Sequence, residues 1–375
     1  MKKLKWILGI VLIITVAAAY FNYPKLNLIS GYAAKNMASN VFVAHRKAAD
    51  ITVYDHDMPM IDLADSHVAT NDRSASATVF GLMKREAVYK EGVGAVLTNK
   101  EYDRHAFTIV PDRTVQKEAL PFPFGNNGIK DTLLLEVDYD KLEAAMTNAF
   151  ADPGQKTRSL LVVYKDQLIG EKYIRGFDEN TPVLGWSMTK SILATLYGIM
   201  EYQGKLSVED RPFANDRSIK NTKIAITINH LLRMQSGLAW EEDYFRISDV
   251  TQMLFLDSDM SLAQKNTERI AQPTEIWNYS SGTTNLLSGI LREQFSSHQA
   301  YLDFPYTELI DKIGMHSMLL ETDLVGNYVG SSYGWATTRD WAKFGLLYLN
   351  KGNWNGQQLF SEEWVDYVAT PTQHS

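Results

Sequence analysis

Ser187 stands three residues ahead of Lys190 in Gly185-Trp186-Ser187-Met188-Thr189-Lys190, where an apolar helical pattern begins. A serine hydroxyl attacks a carbonyl poorly until a base takes its proton. Residues at i and i+3 share a helix face, so Lys190 can lean toward the Ser187 oxygen. A lysine acts as a base only while its amine is neutral, and burial or nearby positive charge favours that form. The partial positive charge of a helix N-terminus helps a serine alkoxide and a deprotonated amine alike. The structural alternative makes Ser187 an N-cap and leaves Lys190 in water. On the serine–lysine spacing alone that alternative is the stronger. Context shifts the balance, because Lys190 sits at the mouth of a strongly apolar helix. A charge there is costly without a carboxylate partner. The G-x-S-x-G motif fails, since Thr189 stands at its last glycine.

A second polar constellation is Asn278-Tyr279-Ser280-Ser281-Gly282, a turn feeding a helix whose apolar face is Leu286, Leu287 and Ile290. A tyrosine there can bring its phenol oxygen into a cleft, and a tyrosinate steadied by lysine is a competent general base. An isolated tyrosine is more often a packing residue. Other polar groups read as structural. Asp55-His56-Asp57 lacks a second histidine cluster at ligand spacing, so it reads as a polar loop and not a metal site. His230 precedes the Leu231-Leu232 pair and reads as a structural histidine. Glu241-Glu242-Asp243 reads as a solvated acidic edge whose loop can overhang a cleft. Trp277 is expected to pack.

The elements that must position these residues follow from periodicity. Leu142, Ala145, Met146 and Phe150 recur at helical spacing within Asp138–Phe150. Two β-rich runs within Ser159–Phe177 flank Lys165-Asp166-Gln167 and predict a hairpin. From Ser187 to Tyr202 the apolar stripe is Ile192, Leu193, Leu196, Tyr197 and Met200, with Gly204 as the stop. A short helix ending in a Ser-Gly turn is expected over Ile226–Leu238. Further helices are expected over Ile247–Leu256, Thr284–Gln294 and Arg339–Asn350. Before them, Pro24 to about Pro123 mixes β-like runs with polar turns: Ser76–Met83, Val93–Thr98 and Phe107–Val110. Pro121–Gly128 reads as a boundary loop. The order of helix, hairpin and many helices predicts an α/β layer carrying a mostly helical insertion.

Together these pieces resemble the serine β-lactamase and penicillin-binding superfamily, in particular its class C-like branch of β-lactamase-related esterases, D-aminopeptidases and 6-aminohexanoate-dimer hydrolases. Ser187–Lys190 (SMTK) matches the first motif. Tyr279–Ser281 (YSS) matches the Tyr-x-Asn-type second motif, with Ser281 at the asparagine position. Ile228–Leu238 matches the helix and turn before it, and Tyr333–Val365 matches a late segment. The resemblance covers about Leu133 to the end. It implies an α/β (α+β) β-lactamase/transpeptidase-like fold, an antiparallel sheet flanked by helices with a mostly helical inserted subdomain at about residues 205–330. It also implies roles. Ser187 is the acylated nucleophile and Lys190 shares or relays its proton. Tyr279 protonates the leaving group and activates the deacylating water. Ser187 N–H is one oxyanion donor. Ser281 is a candidate substrate contact. Outside the motifs, Trp335 is a further candidate substrate contact that either lines the pocket or simply packs. The family's third motif, a Lys- or His-centred triplet ending in glycine on a late strand, does not occur before the final Pro371–Ser375. The expectation is therefore that the last strands are missing and the chain is part of a longer enzyme.

Composition bounds this reading. The 375 residues are 45% hydrophobic, enough for a real core, and carry a formal net charge of −7. No basic block appears, so nucleic acid is not an expected partner. The absence of cysteine excludes disulfides, thiolate metal sites and cysteine nucleophiles. Lys2, Lys3 and Lys5 precede an apolar run from Trp6 to Phe21 and the small residues Ala17-Ala18-Ala19, the pattern of an export signal or anchor. The expected organisation is a signal peptide or membrane anchor over residues 1–22, a β-rich extension over 23–130 and a serine hydrolase domain over 131–375. The function expected is an exported serine hydrolase, periplasmic or anchored in the inner membrane and facing the periplasm. It would cleave the ester, amide or lactam bond of a small-molecule or peptide-like substrate, with no metal or organic cofactor. If the signal stays uncleaved, the N-terminus contacts the membrane. The alternative is a non-catalytic, membrane-tethered penicillin-binding-like binding protein that keeps the fold.

Overall fold

The computed structural model describes residues 2–375 except 101, 103–108, 114, 116–118, 126–127, 131 and 214–224. Helix α1 (Lys2–Phe42) is followed by α2 (Ala48–Tyr54) and by strands β1 (Ala64–Ala69), β2 (Ser74–Val79), β3 (Leu82–Lys90) and β4 (Gly94–Leu97). These strands form an antiparallel sheet in sequence order. Alternation in β2 sends Ala75, Ala77 and Val79 to one face, all buried, where Ala87 and Ala95 join them. Ala33, Ala34, Met37 and Ala38 of α1 cover that face. Small side chains on both surfaces let the helix lie close to the sheet.

Helix α1 runs unbroken through residue 22. One expectation for this region changes. Ser76–Met83, read as one β run, is the end of one strand and the start of the next. Phe80 and Gly81 have φ of 54° and 74°, the positive values of a tight hairpin turn. Val93–Thr98 contains β4. Residues 107–108 of the third run lie outside the described residues, and Ile109–Val110 are not in a strand. No helix among the described residues is long and apolar enough to cross a membrane.

The remainder begins with α3 (Tyr139–Asn148), capped by the Asp138 side chain. It packs on the hairpin of β5 (Ser159–Tyr164) and β6 (Gln167–Tyr173). The hairpin turn is Lys165-Asp166, both at positive φ, as the sequence predicts. Then follow β7 (Val183–Leu184), α4 (Met188–Tyr202), α5 (Ile228–Leu232), α6 (Asp249–Phe255), α7 (Ser281–Glu293), α8 (His298–Pro305), β8 (Leu319–Leu320), β9 (Gly334–Ala336), α9 (Thr338–Leu349), β10 (Asn353–Trp354), β11 (Gln357–Gln358) and α10 (Glu362–Ala369). Strands β7, β9 and β8 form a small antiparallel sheet with β9 in the middle. The predicted stripe of α4, from Ile192 to Met200, is buried in the main core with Leu286, Leu287 and Ile290 of α7. Gly204, at φ 66°, ends α4. This is the mixed α/β architecture expected: antiparallel strands flanked by helices.

Two elements of the N-terminal part grip the small sheet through one buried carboxylate. Glu321, just after β8, accepts hydrogen bonds from Lys35 Nζ, from Ser39 Oγ at 2.8 Å, from Ala95 N at 2.7 Å and from Trp335 Nε1 at 2.9 Å. Lys35 also lies 4.2 Å from the centroid of the Tyr333 ring.

Candidate active site

Ser187 occupies the N-cap position of α4, but its side chain caps nothing. The Ser187 Oγ instead faces Lys190 Nζ at 3.1 Å. The structural alternative therefore fails on both halves: the serine is not a side-chain cap and the lysine is not in bulk water. Two further groups meet the amine. Ser281 Oγ lies at 3.0 Å and the Ser331 carbonyl oxygen at 2.9 Å. The Tyr279 ring centroid is 4.9 Å from the same nitrogen. Burial pulls the Lys190 pKa down to about 8, against the opposing pull of Glu242. That pKa is close to the value a general base needs at neutral pH.

The turn that presents Ser187 is tightly specified. Gly185 N donates to Gly334 O at 2.8 Å, and a Cβ on Gly185 would stand 2.3 Å from Trp341 Cζ2. Only glycine allows that approach. Trp186 takes a φ of 43°, a strained conformation for a bulky side chain. Gly334 N donates to Thr189 Oγ1 at 3.0 Å, tying the first turn of α4 to β9. Ser187 N–H has no hydrogen-bond partner among the described residues, so it remains available at the helix N-terminus as one oxyanion donor.

The second wall comes from the start of α7. Ser280 Oγ caps that helix by accepting from Thr283 N at 2.9 Å. Asn278 holds the turn from both sides: its N donates to Met234 O and its Nδ2 to Trp240 O, each at 3.0 Å. Tyr279 is thereby aimed at Lys190, with Trp277 tilted against it at 6.2 Å. Trp277 is part exposed and does not sit in the core.

Sequence reasoning missed Glu242. It is not a solvated edge. Its Oε1 accepts from Ser281 Oγ at 2.5 Å and from Tyr244 OH at 2.8 Å. Its Oε2 accepts from Ser281 N at 2.9 Å and from Trp240 Nε1 at 2.5 Å. Gly282 makes room for this arrangement, since a Cβ there would meet the Trp240 ring at 2.4 Å. The available signal was the spacing: a carboxylate flanked two residues away on each side by Trp240 and Tyr244, both aromatic hydrogen-bond donors.

Ser187, Lys190, Tyr279 and Ser281 thus meet at one place. Ser281 is fully buried behind the lysine, its hydroxyl shared between Lys190 and Glu242. Trp335 does not join them. It is buried in the middle strand of the small sheet, its indole nitrogen on Glu321 and its ring against Val43 and Ala44. Its place as a substrate contact is corrected: alternation along β9 turns it toward the N-terminal part. His230 is structural as read, its Nδ1 accepting from Thr227 N at 3.1 Å in the capping box of α5. Asp55 pairs with Arg46 and Arg158 at 2.7 and 2.8 Å, and no metal-binding group of side chains occurs among the described residues.

A helix-borne serine and lysine facing a tyrosine-bearing turn define the class of active-site-serine proteins to which β-lactamases and penicillin-binding proteins belong. The beta-lactamase family model matches residues 143–375, and the chain belongs to that family. Among solved structures, a Bacillus anthracis protein provisionally assigned as a 6-aminohexanoate-dimer hydrolase superposes with a TM-score of 0.51 at 20% identity, covering 69% of this chain and 68% of that one. A protein from Bacteroides dorei provisionally assigned as a beta-lactamase gives 0.48 at 17% identity, covering 63% and 72%. The penicillin-binding protein from Bacillus halodurans gives 0.47 at 16%, covering 60% and 78%. No curated protein matches the chain. At these identities the likeness concerns the fold alone.

Proposed function

We propose that this chain is an exported serine hydrolase that cleaves an ester, amide or lactam bond through an acyl-enzyme on Ser187. The observation that carries the reading is the 3.1 Å contact between Ser187 Oγ and a lysine whose pKa burial has pulled down to about 8. Neutral Lys190 takes the hydroxyl proton as Ser187 Oγ bonds to the substrate carbonyl carbon. The charge that develops on the carbonyl oxygen meets Ser187 N–H at the positive end of α4. The proton held by Lys190 then passes to the departing alcohol or amine, with the Tyr279 ring 4.9 Å from that amine. Water deacylates the serine by the reverse proton path. Export rests on the basic residues and apolar run at the N-terminus, with Trp6, Ile7, Ile10 and Ile14 exposed on α1. A small-molecule or peptide-like substrate suits a serine nucleophile that is itself exposed.

A fluorophosphonate probe tests this. The protein in its native host is expected to be labelled, to be recovered in the envelope or membrane fraction, and to lose all labelling in Ser187→Ala. Labelling that survives Ser187→Ala, or a folded wild type that is never labelled, overturns the catalytic reading. Recovery of the labelled protein in the cytosolic fraction overturns export.

A further inference from the structure

Lys190 can reach three oxygens, and they are not equivalent. As an ammonium it donates to Ser187 Oγ, Ser281 Oγ and the Ser331 carbonyl. As the neutral amine it keeps two protons and one lone pair. Which oxygen receives the lone pair decides whether it is a base for Ser187.

The carbonyl of Ser331 only accepts, so it takes one proton. Ser281 is ambiguous, because a hydroxyl both donates and accepts and its proton rotates freely. An unrestrained Ser281 hydroxyl can donate to the lysine lone pair and compete with Ser187. Glu242 removes that freedom. The Ser281 hydroxyl donates to its Oε1 at 2.5 Å. Both Glu242 oxygens are already fixed by donors from Ser281 N, Trp240 and Tyr244. A carboxylate has no proton to return. With its own proton committed, Ser281 Oγ can only accept from Lys190. Both amine protons are then used, and the lone pair is left for the one remaining neighbour, Ser187 Oγ.

We propose that Glu242 is a positioning residue, which by holding the proton of Ser281 directs the lone pair of Lys190 to the nucleophile. This rests on the serine-hydrolase reading of the same site. It also accounts for serine in place of asparagine at position 281. A hydroxyl becomes a one-way acceptor when an acceptor-only group stands behind it, and here Glu242 is that group. Glu242 touches neither Ser187 nor, through any bond among the described residues, Lys190 itself, so it acts through Ser281.

The groups around Lys190 are the Ser187 and Ser281 hydroxyls, the Tyr279 ring from the turn before α7, the Ser331 carbonyl before β9 and, through its charge, Glu242 from the loop after α5. Among these Glu242 is the carboxylate, and its charge holds the lysine pKa up. Neutralising it therefore has two separable consequences. The pH–rate profile of acylation by a fluorophosphonate is the measurement, on the full chain with folding checked by circular dichroism. In Glu242→Gln the plateau rate at high pH is expected to fall on the order of 10²-fold, the cost of a misdirected reacting group. The midpoint of the rise is expected to move to lower pH. Ser281→Ala is expected to lower the plateau as well, and Glu242→Gln added to Ser281→Ala to cost less than about twofold more, because the two act as one unit. A Glu242→Gln plateau within about twofold of wild type, an unmoved midpoint, or effects that multiply in the double variant overturns the proposal. Wild-type labelling that depends on Ser187 in the same experiment keeps such a result separate from a failure of the serine-hydrolase reading itself.

Discussion

In the proposed mechanism Lys190 and Tyr279 divide two proton transfers between them. Among the described residues the Lys190 amine is the hydrogen-bond partner of the Ser187 hydroxyl, which places it to serve acylation. Tyr279 presents its ring to the amine at 4.9 Å, and a ring face favours an ammonium over a neutral amine. In the proposed mechanism the phenol oxygen is what the ring adds for deacylation. Tyr279→Phe keeps the face and removes the oxygen. With a nitrophenyl ester, whose leaving group needs no proton, that variant is expected to keep the acylation burst and lower the steady-state rate by about 10²–10⁴-fold. Steady-state turnover equal to wild type assigns water activation elsewhere. At this scale the serine, the lysine and the tyrosine were legible, because each stands in a motif whose spacing fixes its geometry. Glu242 was not. Consecutive acidic residues are usually solvated, and only the fold shows that Ser281 N–H and two aromatic donors enclose this one. Whether Trp335 lines the pocket or packs was not legible, because alternation in so short a strand cannot be phased without its neighbours.

Between elements, the decisive interaction is the buried pair of Lys35 and Glu321. It joins α1 and β4 to the strand pair β8–β9, and Gly334 of β9 in turn receives the first turn of α4. Burial pulls the Lys35 pKa down, against the opposing pull of Glu321. Removing one partner leaves the other's charge buried without its counter-ion. Lys35→Met is expected to destabilise the protein by about 3–5 kcal/mol in denaturant unfolding, and the double variant Lys35→Met/Glu321→Leu to recover much of that loss. A single variant as stable as wild type removes this pair from the account. Helices α4 and α7 and the β5–β6 hairpin were legible from apolar period and turn chemistry. The Phe80-Gly81 hairpin was not, because Ser76–Met83 reads as one continuous β-like run and a Phe at positive φ carries no turn signal.

For the whole molecule, the family-matched region carries the catalytic constellation and the N-terminal part braces it from behind. The sequence distinguishes a β-rich extension from a serine hydrolase domain. It could not reveal their union, because Lys35 and Glu321 lie 286 residues apart and neither stands in a motif. What the assembly supplies is a lysine whose pKa burial pulls down to about 8, so that a useful fraction is neutral near physiological pH, and whose amine faces the Ser187 hydroxyl. The most direct test is the pH dependence of wild-type acylation by a fluorophosphonate. Below the Lys190 pKa of about 8 the amine carries a proton and cannot take another. The rate is therefore predicted to rise about tenfold per pH unit up to that value and to level off above it. A rate that is flat from about pH 6 to about pH 9, or that keeps rising to the ordinary lysine pKa of about 10.4, contradicts the account.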